Sequence, residues 1–138
     1  MKDYLLDTSA CVDAIKNRTP LIRKRISEAM RGGARVYASS IASFELWYVA
    51  AKSASPEDNA KLVDAFLAGA SGIISFEEED ARSAGSRRAK LEKARKPIGS
   101  YDLLIAGQAL RHGMTLVTSN VREFHRVKGL AWTDWARP

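Results

Sequence analysis

The chain has almost no cysteine: Cys11 stands alone among 138 residues. No intrachain disulfide can form, and a zinc site built on several thiolates is excluded. A lone cysteine of this kind is most simply a small buried side chain. Histidine is nearly as scarce, and His112 and His125 stand apart with nothing around them that marks a ligand or a base. No apolar run approaches the roughly 18 residues that cross a bilayer, and the N-terminus lacks the basic start and long apolar core of a secretion signal. The expected location is the cytoplasm, without membrane contact.

What is present is ordinary globular material, 46% hydrophobic and 28% charged, far from the composition of a disordered chain. A length of 138 residues suits a single domain over 1–138 with one core. The net charge of +6 favours polyanions at long range and adds salt-dependent affinity for nucleic acid. A balance of this size also occurs in proteins that bind no nucleic acid, so its meaning depends on where the cations lie.

Tyr4-Leu5-Leu6-Asp7-Thr8-Ser9 is an apolar run that stops at a carboxylate and two hydroxyls. It reads as a buried strand delivering Asp7 to a sheet edge, where open α/β sheets bind ligands. Equally, Asp7, Thr8 or Ser9 could cap a helix through Ala10 to Lys16. Thr19-Pro20 starts a helix carrying Ile22, Ile26, Ala29 and Met30, which Gly32-Gly33 ends, and Arg23, Lys24, Arg25 and Arg31 form its solvated side. Arg35–Ser39 predicts a second strand, and Ser40–Lys52 a helix in which Ile41, Glu45 and Val49 share one face with Phe44 and Tyr48 alongside. Glu45 on that apolar stripe calls for a cation or a proton.

Ser55-Pro56-Glu57-Asp58 is helix-start chemistry. The helix after it shows Leu62, Val63, Ala65, Phe66 and Leu67, for which core packing is the expected use. Gly72–Phe76 predicts a third strand. Glu77–Asp80 opens the next helix and Arg87, Arg88, Lys90, Lys93, Arg95 and Lys96 close it, which complements the helix dipole without any ligand. Its basic end, with Arg88 and Lys96, runs through Pro97-Ile98-Gly99-Ser100 toward Asp102 and could guide a phosphate backbone. Asp102 enters a strongly apolar helix reaching His112-Gly113. Met114–Asn120 repeats the opening pattern, with Asn120 and Glu123 at the spacing of a helix cap and its box acid. Leu130–Trp135 predicts a last edge strand with its tryptophans packed against the body.

Alternating strands and helices argue for an α/β protein, three-layered α/β/α with a mainly parallel central sheet. Of sixteen acids, Asp7, Glu45 and Asp102 are those embedded in apolar sequence. Unit charges at about 5 Å repel by on the order of 3 kcal/mol per pair at an effective dielectric near 20, so three such carboxylates need a counter-ion. All-oxygen ligation suits Mg²⁺ or Mn²⁺, and such an ion serves phosphodiester hydrolysis.

Taken together, Leu5–Ser9, Glu45-Leu46, Pro97–Ala106 and Leu116–Phe124 resemble, in order and spacing, the PIN domain nucleases, and specifically the VapC toxins. The resemblance implies a PIN-like fold and a Mg²⁺-dependent endoribonuclease acting on tRNA or ribosomal RNA. It makes Asp7 and Asp102 the main metal ligands, Glu45 a third acid and Thr118 a hydroxyl near the site, with Thr8, Ser9 and Asn120 adjacent. Many PIN domains carry a fourth acid where this chain has Asn120. The resemblance further implies homodimers and a cognate antitoxin that blocks the site and, with the toxin, binds operator DNA. Two rivals are another Mg²⁺ phosphohydrolase and a non-catalytic RNA-binding or receiver-like module. A haloacid-type phosphatase wants a second Asp where Ser9 stands, and a receiver wants an Asp at the end of its third strand, where Ile73-Ile74-Ser75-Phe76 offers none.

Overall fold

The computed structural model describes residues 2–138, and strand and helix alternate through them. In chain order the elements are β1 (Asp3–Leu6), α1 (Thr8–Lys16), α2 (Pro20–Arg31), β2 (Arg35–Ser39), α3 (Ser40–Lys52), α4 (Pro56–Gly69), β3 (Gly72–Ile74), α5 (Glu78–Lys93), α6 (Ser100–His112), β4 (Thr115–Val117), α7 (Val121–Phe124) and β5 (Trp132–Thr133). The strands form one sheet in the order β3-β2-β1-β4-β5, and every pairing is parallel. From β1 the chain first walks outward through β2 and β3, then returns to place β4 and β5 on the other side. With right-handed crossovers, that reversal puts the connecting helices on both faces, giving three layers.

Local chemistry explains the elements. Leu5 and Leu6 are sealed between layers, paired with Tyr37 and Ala38 on one side and Leu116 and Val117 on the other. Strands buried on both faces read as continuous apolar runs. Thr19 Oγ1 accepts from the Leu21 amide at 3.2 Å ahead of Pro20, and Ser39 Oγ caps α3 at the Ile41 amide at 3.0 Å. The middle of α6 is buried from Ile105 to Ala109. It carries one polar side chain, Gln108, which hydrogen-bonds Ser39 Oγ and donates to Ile74 O at 3.1 Å.

Several expectations need correction. The outward side of α2 is only partly solvated: Arg23 donates to Ala14 O and Ile15 O at 2.6 and 3.1 Å, and Arg25 to Asp134 O and Arg137 O at 3.3 and 2.6 Å. Ser55 stands before α4 but makes no side-chain cap. On α4 the apolar face is not all core: Val63 is buried, while Leu62 is more than half exposed. Asp80 does more than open α5, since it is fully buried and accepts from Arg111 Nε on α6 at 2.6 Å. The third strand stops at Ile74. The last one keeps only Trp132 and Thr133, with Trp135 packed on Tyr4 at a ring distance of 4.7 Å and Trp132 facing out.

Candidate functional site

The strand order reverses between β1 and β4, so their carboxyl ends open a crevice where α/β folds bind ligands. Asp7 follows β1 there and Thr118 follows β4. The Asp7 amide extends the ladder by donating to Val117 O at 3.1 Å. Asp7 is fully buried, and its Oδ1 accepts from the Ala10 amide at 2.8 Å and from Ser9 Oγ at 2.7 Å. Helix cap and special acid are therefore one residue: Oδ1 caps α1, while Oδ2 is buried without a hydrogen-bond partner. Ser9 Oγ also accepts from the Ser119 amide at 3.2 Å, tying the two strand ends together. Thr118 is buried, and its Oγ1 accepts from the Asn120 amide at 2.9 Å.

Asp102 stands in the first turn of α6, half-buried. Asn120 is not the side-chain cap its spacing suggests. Its Nδ2 donates to Asp102 Oδ2 at 3.0 Å and to Glu123 Oε2 at 2.8 Å. Glu123, which the sequence offered as a cap-box acid, thus joins the site. Gly99 leaves room above this group, because a methyl grafted there would lie 3.5 Å from Asp102 Oδ2 and 3.9 Å from Glu123 Oε2.

The acids are electrostatically crowded. Burial pushes the Asp7 carboxyl up from 3.8 to about 6, although the neighbouring Thr118 hydroxyl and the bonds from Ala10 and Ser9 favour its charged form. Burial also lifts Asp102 to about 7, helped by the charge of Asp7 and by Glu123. The Cys11 thiol, fully buried as its scarcity suggested, is pushed up by burial and then by Asp7 and Glu45, so both acids act on one spot.

Glu45 arrives differently from the expected buried stripe. The inner face of α3 is Ala42, Leu46 and Ala50, whereas Phe44, Tyr48 and Val49 are exposed. Glu45 is half-buried at the boundary and accepts from Thr8 Oγ1 at 2.5 Å. Among the described residues, no three His, Cys, Asp or Glu side chains are drawn together as tightly as a closed metal centre requires. The donor set nevertheless suits a hard cation: several carboxylates, one bearing an orphaned buried oxygen. Such oxygens match Mg²⁺ or Mn²⁺ rather than zinc.

The proposed phosphate contacts lie outside this group. Arg88 is exposed and paired with Glu92 at 3.0 Å, and Lys96 is exposed in the loop leading to Gly99. His112 and His125 are both exposed.

Comparison with known proteins gives a consistent picture. The family model described as "PIN domain" matches residues 4–130. The chain is 37% identical to a Salmonella typhimurium protein named "tRNA(fMet)-specific endonuclease VapC", over 98% of this chain and 99% of that one. It is 36% identical to a Haemophilus influenzae "Ribonuclease VapC2", with the same coverage. Among solved structures, the toxin–antitoxin complex "DNA bound VapBC from Salmonella typhimurium" contains a chain that superposes with a TM-score of 0.90 at 37% identity, covering 98% of this chain and 99% of that one. For "VapBC2 from Rickettsia felis bound to a DNA fragment from their promoter" the values are 0.91 and 34%, covering 96% and 98%.

Proposed function

The chain belongs to the PIN domain family and, within it, to the VapC ribonucleases, and from that premise we propose that it is an RNA-cleaving toxin held in check by a cognate antitoxin. Phosphodiester hydrolysis takes place in the crevice between β1 and β4. The observation that carries this is the buried, unpartnered Oδ2 of Asp7, in a pocket where burial, and then the charge of Asp7, lifts Asp102 to about 7. A divalent cation is the partner such a pocket lacks. A non-catalytic RNA-binding module would gain nothing from it, because crowded acids repel phosphates.

Asp7 and Asp102 would hold the ion, with Glu45 and Glu123 at its margin; Mg²⁺ suits these oxygens, and Mn²⁺ can substitute. Once bound, the ion supplies an activated water and neutralises charge on the phosphoryl group. The chain does the rest. The N-terminus of α1 and Ser9 orient Asp7, and burial keeps bulk water from it. Asn120 holds Asp102 and Glu123 in register, Thr8 ties Glu45 to the residue after Asp7, and Thr118 presents a hydroxyl beside Asp7. Gly99 leaves the approach open for a phosphate.

The substrate class is tRNA, as the names of two relatives suggest, with ribosomal RNA the alternative. An antitoxin, and operator DNA through the joint complex, follow from the relatives solved with both. No described helix is long and apolar enough to cross a membrane, which fits a cytoplasmic toxin. Homodimers would form through the exposed Phe44, Tyr48 and Tyr101, where Phe44 and Tyr101 already stack edge to face at 5.6 Å.

The test is cleavage of total RNA by the purified protein. Asp7→Asn, which preserves the helix cap, and Asp102→Asn should each reduce cleavage by about a hundredfold or more, and a chelator should abolish it until Mg²⁺ is restored. Cleavage that persists in chelator, or in both variants, overturns the assignment.

A further inference from the structure

Five cations crowd one depression of about 440 Å³ between the end of α5 and the segment after α7: Arg87, Lys90, Lys96, Arg126 and Lys128, floored by Leu91. Among the described residues none of the five is paired with a carboxylate. The dipole of α5 accounts for bases in its own last turn. It does not account for Lys96, beyond the helix, or for Arg126 and Lys128, which come from a different segment and add like charge. Cations gathered from separate segments into one depression focus a positive potential that attracts a polyanion.

The groove is built and held in place. Arg87 Nη1 donates to Lys128 O at 2.8 Å and Arg126 Nη1 to Pro97 O at 2.9 Å, so two guanidinium groups fasten its walls. The Lys96 amide closes onto Leu91 O at 2.8 Å. That turn needs Arg95 in the left-handed region at φ 60°, a conformation that glycine adopts more readily. The rim of the groove at Lys96 and Pro97 is next to the acids in the chain. Pro97, gripped by Arg126, is two residues from Gly99, which lies against Asp102 and Glu123. Three residues of extended chain from Lys96 to Gly99 span on the order of 10 Å, so groove and crevice lie within a few nucleotides of each other.

We propose that this groove, lined by Lys90, Lys96 and Lys128 and braced by Arg87 and Arg126, binds the phosphate backbone of the RNA strand flanking the cleaved bond. The proposal rests on the ribonuclease reading and adds to it where the strand lies. Charge complementarity favours RNA: several unpaired cations lining one groove serve a repeating phosphate, and the rim of the groove at Pro97 is two residues from Gly99, beside the pocket where a phosphate is cut.

Binding of a labelled single-stranded RNA, long enough to fill both groove and crevice, is followed by anisotropy in chelator across a salt series. A combined Lys90→Gln, Lys96→Gln, Lys128→Gln variant removes three exposed, unpaired charges without touching the core. Its log–log salt slope should be shallower by about 2, at roughly 0.7 per lost phosphate contact, and its affinity weaker by about tenfold or more. A matched variant with Lys2→Gln, Lys24→Gln and Lys61→Gln loses the same net charge elsewhere and should keep the parental slope. Equal slopes for the parent and the groove variant, or an equal loss in the matched variant, overturn the proposal. So does a groove variant that keeps its RNA slope but no longer binds antitoxin, which would give the groove to an acidic polypeptide. If the parent cleaves RNA normally while the groove variant binds unchanged, the groove alone fails. If the parent neither binds nor cleaves RNA, the ribonuclease reading fails and takes the groove with it.

Discussion

Asp7 serves two purposes through its two oxygens, one capping α1 and the other left without a donor. Burial lifts this carboxyl from 3.8 to about 6, and burial with the charge of Asp7 lifts Asp102 to about 7. In the unfolded chain both titrate near 4. Between about pH 4 and pH 7 the folded state therefore binds more protons than the unfolded one, and metal-free stability falls as pH rises. Below that window both states are protonated and the penalty vanishes; above it the penalty is complete, on the order of 3 kcal/mol for Asp7 alone. The melting temperature of chelated protein should drop between about pH 4 and pH 7, and Mg²⁺ or Asp102→Asn should shrink the drop. An Asp102→Asn chain that melts below the parent near pH 8, with the parental pH profile, would mean that no crowding exists to relieve. Asp7 and Asp102 could be picked out from sequence because an acid embedded in apolar residues demands a reason. Glu123 could not, since Asn-x-x-Glu is also cap spacing and only tertiary packing sets residue 120 between it and Asp102. Glu45 drew attention for a buried stripe that proved to be the boundary of the helix, with Ile41 packed on the core and Val49 exposed.

Elements were easier to locate than to orient. The runs Tyr4–Ser9, Arg35–Ser39 and Met114–Asn120 located β1, β2 and β4, the first and last overrunning the observed ends at Leu6 and Val117, and the stretch Ser40–Lys52 is the helix observed. Yet α3 is apolar on nearly every side, so periodicity could not say which side meets the sheet. Packing chose Ala42, Leu46 and Ala50 and left the aromatics outside. Small residues show the same logic where α5 crosses α6. A methyl at Gly107 would lie 3.1 Å from Ala84 Cβ and 3.3 Å from Asp80 O and the Ala84 nitrogen, two of them backbone atoms that cannot rotate away. Gly107→Ala should cost about 1–3 kcal/mol in a denaturant melt. Gly85 lies on α5 with nothing within 4 Å of the same graft, so Gly85→Ala should stabilise by about 0.5–1 kcal/mol through helix propensity. Equal effects from the two would contradict this close crossing.

Across the molecule, alternating strands and helices foretold a largely parallel sheet, but not the order β3-β2-β1-β4-β5, because local pattern does not say which distant edges meet. The outward aromatics of α3 make a prediction at this scale too. Phe44→Ser with Tyr48→Ser should cost the single protomer little, since both side chains are more than half exposed, while the proposed dimer gives way to a monomer in sedimentation and the melting temperature loses its dependence on protein concentration. Identical masses for the double variant and its parent would dismiss that face as the contact. The pairing of β1 with β4 reaches further, into the order in which the molecule is made. The Ser119 amide and Ser9 Oγ, bonded at 3.2 Å, are 110 positions apart, and the Asp7 amide waits equally long for Val117 O. Throughout translation of the intervening chain the future cutting edge is only half built, so a message broken before that point yields a harmless fragment. The toxin cannot act until its own synthesis is nearly finished.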